Sequence, residues 1–190
     1  MSSLKQSSTI ISPIEYLEGE PLSEVRHEYI DGLVFAMAGS TLNHNRITLN
    51  IAGCLDELLN GSSCRPFASD VKVKVKTLAS ETYYYPDVVV TCHPEDTNDQ
   101  FLENPTTIFE VLSESTERID RNEKFLAYKN LESLEDYILV SQERREVTIA
   151  RRKSNWQAEV FSGEDFSLQL ACSDTPLTAE RIYRNVDLGN

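Results

Sequence analysis

The 190-residue sequence is short of positive charge: 18 Lys and Arg stand against 31 Asp and Glu, a formal net charge of −13 at pH 7. An acidic surface repels a polyanion, because phosphate contacts need lysine and arginine. A nucleic-acid partner would have to meet basic residues clustered on one face, or a surface created by divalent metal and dimerisation. Otherwise the substrate is not a long nucleic acid. No run of about 18 apolar residues occurs, so no membrane-spanning helix is expected. The polar start, Met1 to Ser8, has no apolar core of a signal peptide, and the expected compartment is the cytoplasm. The cysteines Cys54, Cys64, Cys92 and Cys172 form no C-x-x-C pair. Without an export signal they are expected to be buried free thiols, neither disulfides nor zinc ligands. There is no G-x-x-x-x-G-K-[ST] loop, no G-x-S-x-G elbow and no H-E-x-x-H helix. Internal repeats, long linkers and low-complexity segments are absent as well.

What is present suffices for a core. Hydrophobic residues make up 40% of the chain and charged residues 26%, and the length fits one domain. Residues 1–11 read as a loose tail and 12–190 as a single domain. Ser12-Pro13-Ile14-Glu15 carries a cap, a first-turn proline and a capping-box glutamate, so a short helix starts there and ends near Gly19. Asp31-Gly32 between apolar runs predicts a hairpin over 28–37. Ile47, Ile51, Cys54, Leu55 and Leu58 recur at helical spacing over 43–59, ending at Asn60-Gly61. Val71, Val73 and Val75 alternate with Lys72, Lys74 and Lys76 in a strand over 64–76. Its basic face is either a solvated or edge-guarding face, or a phosphate-facing one.

The runs 83–91 and 106–113 read as central strands buried on both faces, with a polar loop over 93–104 between them. Cys92-His93-Pro94-Glu95-Asp96 gathers metal-ligand types without a zinc spacing and reads as loop. A helix follows, capped by Ser115 or Thr116, and then a strand over 137–140. A meander of short strands near 146–152, 155–161 and 166–170 comes next, with a last short helix over 178–185. The expected fold class is α/β (α+β): a mixed β-sheet flanked by helices, with antiparallel additions at both ends.

Chemistry centres on two acids in apolar strands. Asp87 follows Pro86 at the start of one and Glu110 lies inside the next. A desolvated, unpaired carboxylate costs several kcal/mol, roughly. Each acid therefore sits near a strand end, solvated or paired with arginine, or the two share a partner. A hard cation such as Mg²⁺ takes one or two carboxylates plus phosphate and water. Asp120 and Lys124, four apart on a helix, form either a surface ion pair or an ammonium presented to the two acids. His44 opens the long helix as a candidate general base or phosphate contact, or as a solvent contact. Asp31 is explained by turn chemistry; Glu28, inside the strand, is not.

Together these residues resemble the PD-(D/E)XK nuclease superfamily and, more closely, the Uma-two family of restriction-endonuclease-like proteins. The matching residues are Glu28-Tyr29-Ile30-Asp31-Gly32, His44, Tyr85-Pro86-Asp87-Val88-Val89-Val90, Glu110-Val111-Leu112-Ser113 with Ser115-Thr116, then Asp120, Lys124, Tyr128 and Tyr137, within a span of about 12–185. The resemblance implies a restriction-endonuclease-like fold and Mg²⁺- or Mn²⁺-dependent cleavage of DNA. Asp87 and Glu110 would be the metal-binding acids, aided by the Val111 backbone carbonyl, with Glu28, His44 and Asp120 as accessory residues. Leu112 stands where the superfamily motif has lysine, and the resemblance implies that Lys124 supplies the missing ammonium. It also implies a homodimer. The competing expectation is a nuclease-like fold without nuclease activity, acting as a binding or regulatory module.

Overall fold

The computed structural model describes residues 10–78, 80–114 and 116–189. The chain enters through α1 (Pro13–Gly19), where Ser12 Oγ accepts from the Glu15 amide and the Glu15 carboxylate accepts from the Ser12 amide. That is the capping box expected from the sequence. The segment before it is tied down at its end: the Ile11 amide donates to the Gly32 carbonyl at 3.0 Å, and its carbonyl accepts from the Tyr29 hydroxyl at 3.1 Å. The rest of the expected tail, residues 1–9, lies outside the described residues.

β1 (His27–Ile30) and β2 (Leu33–Ala36) form the hairpin. Asp31 and Gly32 take φ of 48° and 94°, the doubly left-handed turn that an Asp-Gly pair favours. α2 (Leu42–Leu58) is capped by Thr41, whose side chain accepts from the His44 amide, and it buries Ile47, Ile51, Cys54 and Leu55.

Two long strands read from the sequence are each divided. The first becomes β3 (Arg65–Ala68) and β4 (Lys72–Lys76), the second β5 (Glu81–Tyr84) and β6 (Val88–Thr91). Ser69 at φ 60° turns the chain between β3 and β4. Pro86, with no amide hydrogen to give to a ladder, sits between β5 and β6. Next come β7 (Phe101–Leu102), inside the segment expected to be all loop, and β8 (Pro105–Leu112). A continuous helical stretch follows: α3 (Glu117–Ile119), a π-helical turn (Asp120–Lys124) and α4 (Phe125–Tyr128). Thr116 precedes it without a side-chain capping bond; Ser115, the other expected cap, lies outside the described residues. β9 (Asp136–Ser141), β10 (Glu146–Arg151) and β11 (Ala158–Ser162) make the meander. β12 (Ser167–Leu168) leaves it to pair with β13 (Leu177–Thr178), and α5 (Ala179–Ile182) follows.

The strands sort into a six-stranded sheet, β11-β10-β9-β8-β6-β3, and a five-stranded sheet, β2-β1-β5-β4-β7. Both are mixed, with β8–β9 and β4–β7 the parallel pairs. The expected class of mixed sheet flanked by helices holds, but the sheet is two, because β3/β4 and β5/β6 part at their breaks. Alternation along β6 and β8 sends side chains to two cores. Val88, Val90, Phe109 and Val111 pack with Ile47, Ile51 and Leu55 of α2. Val89, Ile108 and Leu112 face the other way, onto Val73, Val75 and Tyr84 of the second sheet and Tyr128 of α4. A tyrosine-rich cluster of Tyr16, Tyr29, Tyr83 and Phe101 fills the far side of the second sheet, under α1.

Two expectations are corrected. Cys64 and Cys92 are joined in a disulfide, leaving Cys54 and Cys172 free. The cause is register: β3 pairs β6 with Arg65 opposite Thr91, so the next cross-strand position brings Cys64 against Cys92. Nor do the three lysines of β4 form a basic stripe or guard an edge. β4 lies between β5 and β7; Lys72 is buried with its ammonium 3.3 Å from the Tyr85 hydroxyl, and Lys74 pairs with Glu103 at 3.0 Å. Among the described residues no helix is long and apolar enough to cross a membrane.

Candidate active site

Asp87 and Glu110 come together through strand register. Val88 lies opposite Phe109 and Val89 opposite Ile108, which puts Asp87, one residue outward, opposite Glu110. Facing residues of an antiparallel pair share a side of the sheet, and here it is the side turned toward the second sheet. Glu110 is 3% exposed, while Asp87 sits at the strand mouth with its side chain 19% exposed. The break at Pro86 makes this possible. It ends β5 and starts β6, so Asp87 occupies a strand end with solvent access while its neighbour is sealed in.

Lys124 arrives from the π-helical turn. Its ammonium lies 2.9 Å from Glu28 Oε1, 3.2 Å from Glu110 Oε1 and 3.4 Å from Asp120 Oδ1. The Tyr84 ring covers another side at 5.6 Å. An ordinary helix advances about 100° per residue, so positions 120, 124 and 128 drift around it by about 40° at each step. The wider π turn takes up one extra residue, and Lys124 and Tyr128 both reach the same oxygen, Glu110 Oε1, Tyr128 at 3.4 Å. Tyr137 of β9 holds the turn by donating its hydroxyl proton to the Asp120 carbonyl at 2.8 Å. The Asp120–Lys124 pair is thus no surface ion pair: both residues are buried. Glu28 reaches the site because Tyr29 points to the α1 side, leaving Glu28 to face the space between the sheets; its Oε1 also accepts from the Tyr85 amide at 3.4 Å.

His44 completes the mouth. Its Nε2 lies 3.3 Å from Asp87 Oδ2, and the same oxygen accepts the Val111 amide at 2.7 Å. The side chain is 15% exposed, so it is not the plain solvent contact that a first-turn histidine could have been. Burial lowers the imidazole pKa, but the hydrogen bond and charge of Asp87, the charge of Asp120 and the Val111 backbone outweigh it, and the net direction is upward. Gln142, which the sequence did not single out, fixes the helix that carries His44. It accepts from Thr41, the α2 cap, and donates to the Leu112 carbonyl at 2.9 Å, tying the α2 start to the β8 end. The only sequence signal was a polar residue two positions beyond the apolar run 137–140 of β9.

The electrostatics are lopsided. Glu28, Asp87, Glu110 and Asp120 share one ammonium and one imidazole. Burial drives the Glu110 pKa well above the usual carboxylate range. Lys124 opposes this, but Asp120, Asp87 and Glu28 reinforce it. Burial also raises Asp120, against Lys124 and Thr116. Desolvation of Lys124 is outweighed by Glu110, Glu28 and Asp120, and the ammonium keeps its proton. Asp120 Oδ1 is buried without a hydrogen bond; at 3.4 Å from the ammonium its contact is ionic only.

Such a set fits a hard divalent cation, with carboxylate oxygens in negative excess and one of them orphaned. Among the described residues no three His, Cys, Asp or Glu side chains gather as a metal cage. Mg²⁺ needs no such cage, since it takes one or two carboxylates and fills its shell with water and phosphate. Asp31, by contrast, serves the hairpin, its side chain accepting from the Glu81 amide. Asp96 is buried, but accepts from Thr91, Glu103 and Asn104 as the anchor of a loop.

The chain is similar to known proteins over most of its length. The uncharacterized protein slr1290 of Synechocystis sp. is 34% identical over 179 residues, covering 93% of both chains. A second uncharacterized Synechocystis protein, sll1609, is 33% identical over 139 residues, 72% of this chain and 77% of its own. The fold matches a crystal structure described as a "putative nuclease" of the DUF820 group from Anabaena variabilis, with a TM-score of 0.69, 16% identity, and coverage of 85% of this chain and 91% of that one. The model of the Uma2 family, described as "putative restriction endonuclease", matches residues 14–179, and with that span the chain belongs to the Uma2 family.

Proposed function

We propose that the chain is a divalent-metal-dependent endonuclease that hydrolyses DNA phosphodiester bonds, with Asp87, Glu110 and Lys124 as its catalytic residues. The observation that carries this reading is the meeting of Lys124 with Glu110, opposite Asp87, at the mouth between the two sheets. Asp87 and Glu110, with the Val111 carbonyl, would hold Mg²⁺ or Mn²⁺. When bound, such an ion polarises a phosphoryl oxygen and lowers the pKa of an attacking water.

The chain's own residues supply the rest. Lys124 carries a positive charge in a water-poor site, where it counters charge developing on phosphorus-bound oxygens more effectively than in bulk water. His44 holds a proton at Nε2 beside Asp87, at the edge of the site where water enters. Glu28 and Asp120 hold the ammonium in register, and Tyr128 shares Glu110 with it. The expected assembly is a homodimer, one copy for each strand.

A second reading, a nuclease-like binding module, is favoured by one observation. The net charge is −13, and many of the described cations, Arg26, Lys74, Arg144 and Arg181 among them, are already paired with carboxylates.

Supercoiled plasmid incubated with Mg²⁺ or Mn²⁺ at low salt separates the two. Nicking or linearisation by the wild type, lost in both Asp87→Ala and Lys124→Ala, is the expected result. Equal cleavage by all three proteins would rule out these residues as the site. No cleavage and no DNA binding would favour the module.

A further inference from the structure

Lys124 has three carboxylates about it. Glu28, Glu110 and Asp120 all lie within 3.4 Å of its ammonium, and Glu28, the most exposed of them, has a side chain only 15% exposed. The face of Tyr84 closes another side. A lysine ammonium has three hydrogens to donate, and three acids compete for them. Glu110, however, is also the acid that would hold a divalent ion together with Asp87. An ammonium 3.2 Å from a carboxylate oxygen and a dication on that same carboxylate repel each other, and burial weakens the screening between them. The local charge leaves room for a further cation: four carboxylates outnumber the one ammonium and one imidazole, and the buried Asp120 Oδ1 lacks a hydrogen bond.

We propose that the Lys124 ammonium acts as a resident counter-ion competing with the divalent metal for Glu110, so that metal entry moves it off Glu110 onto Glu28 and Asp120. This rests on the reading of Asp87 and Glu110 as metal-binding acids and adds an order of events. Without metal the lysine neutralises Glu110; with metal bound it is released from Glu110 while staying in the site. Glu28 has a defined part here as a positioning residue. It comes from the other sheet and offers the shortest contact to the ammonium, an anchor that does not depend on Glu110.

Competition of this kind makes a prediction opposite in sign to a simple supporting role. Calorimetric titration with Mg²⁺ alone and Mn²⁺ alone, without DNA, should show that Lys124→Gln binds metal at least about tenfold more tightly than wild type, equivalent to about 1.4 kcal/mol. Asp87→Asn should bind markedly more weakly. Affinity unchanged or reduced in Lys124→Gln, with wild type still binding and Asp87→Asn impaired, overturns the competition and leaves the metal-site reading standing. Absence of binding in wild type and both variants overturns both. If Lys124→Gln fails to fold, wild type labelled with ¹⁵N-lysine decides: the buried ammonium resonance should shift as Mg²⁺ is added, and no shift at saturation overturns the proposal. The same titration of Glu28→Gln, which weakens the anchor, should show weaker metal binding than wild type; unchanged affinity removes Glu28 from the role.

Discussion

At the scale of single residues, Glu110 ties the site's chemistry to its stability. Its pKa is raised well above the usual value, chiefly by burial and then by Asp120, Asp87 and Glu28 against the pull of Lys124. A group whose pKa is higher in the folded than in the unfolded chain adds stability that is fully present below the unfolded value, near 4.3. That stability is lost as pH rises through the folded value. Asp120 and Asp136 are shifted the same way by burial. In buffer with chelator, the wild-type melting temperature is therefore expected to fall as pH rises from the unfolded carboxylate values, about 4, through the raised folded ones. Glu110→Gln, which cannot ionise and keeps an acceptor for Lys124 and Tyr128, should fall less over the same range. Parallel curves for the two proteins would mean that Glu110 is ionised throughout. Sequence could mark Glu110 as an acid in an apolar strand. It could not show that one lysine would answer to three acids, because Glu28 arrives from another sheet.

At the scale of elements, the positioning is done by breaks in regular structure. Pro86 divides a strand and frees Asp87; the π turn brings Lys124 under Glu110; the Asp31-Gly32 turn sets the hairpin that delivers Glu28. The last is the simplest to perturb. Gly32 has φ 94°, and an added Cβ would meet the Ile10 methyl at 2.7 Å. Because that methyl belongs to a flexible side chain, the backbone conformation is the main cost. Gly32→Ala should lose about 1–2 kcal/mol of stability in urea denaturation, while Gly53→Ala, where nothing stands within 4 Å of an added Cβ, should lose none. The hairpin was legible from Asp-Gly alone, since turn chemistry is local. The π turn was not, since it is stabilised from outside by Tyr137 and by the contacts of Lys124 and Tyr128 with Glu110.

At the scale of the whole molecule, charge governs the encounter with substrate. The net charge is −13, Lys72 is buried and Lys74 paired, so β4 offers no free basic stripe. Few phosphates can then be neutralised by the chain itself. In fluorescence anisotropy with a DNA duplex, binding should be weak in chelator and appear on adding Mg²⁺ or Mn²⁺. Its salt slope should be shallow, corresponding to about two to four phosphate contacts per chain. Tight metal-free binding with a steep slope would point instead to a basic surface formed between copies.

The sequence by itself determined what local physics controls: the α1 cap, the hairpin turn, the apolar face of α2, the strand character of β6, β8 and β9, and, through resemblance, the family. These follow from periodicity, turn residues and caps, whose energies depend on neighbours a few positions away. Tertiary structure decided what depends on distant segments. It assigned the halves of two long strands to different sheets, brought Cys64 against Cys92 through strand register, buried Lys72, and set Gln142 between α2 and β8. It also gathered Glu28, Glu110 and Asp120 around Lys124. Their cost and benefit arise from desolvation and close charge contact, which exist only once the two sheets and the helical segment have packed together.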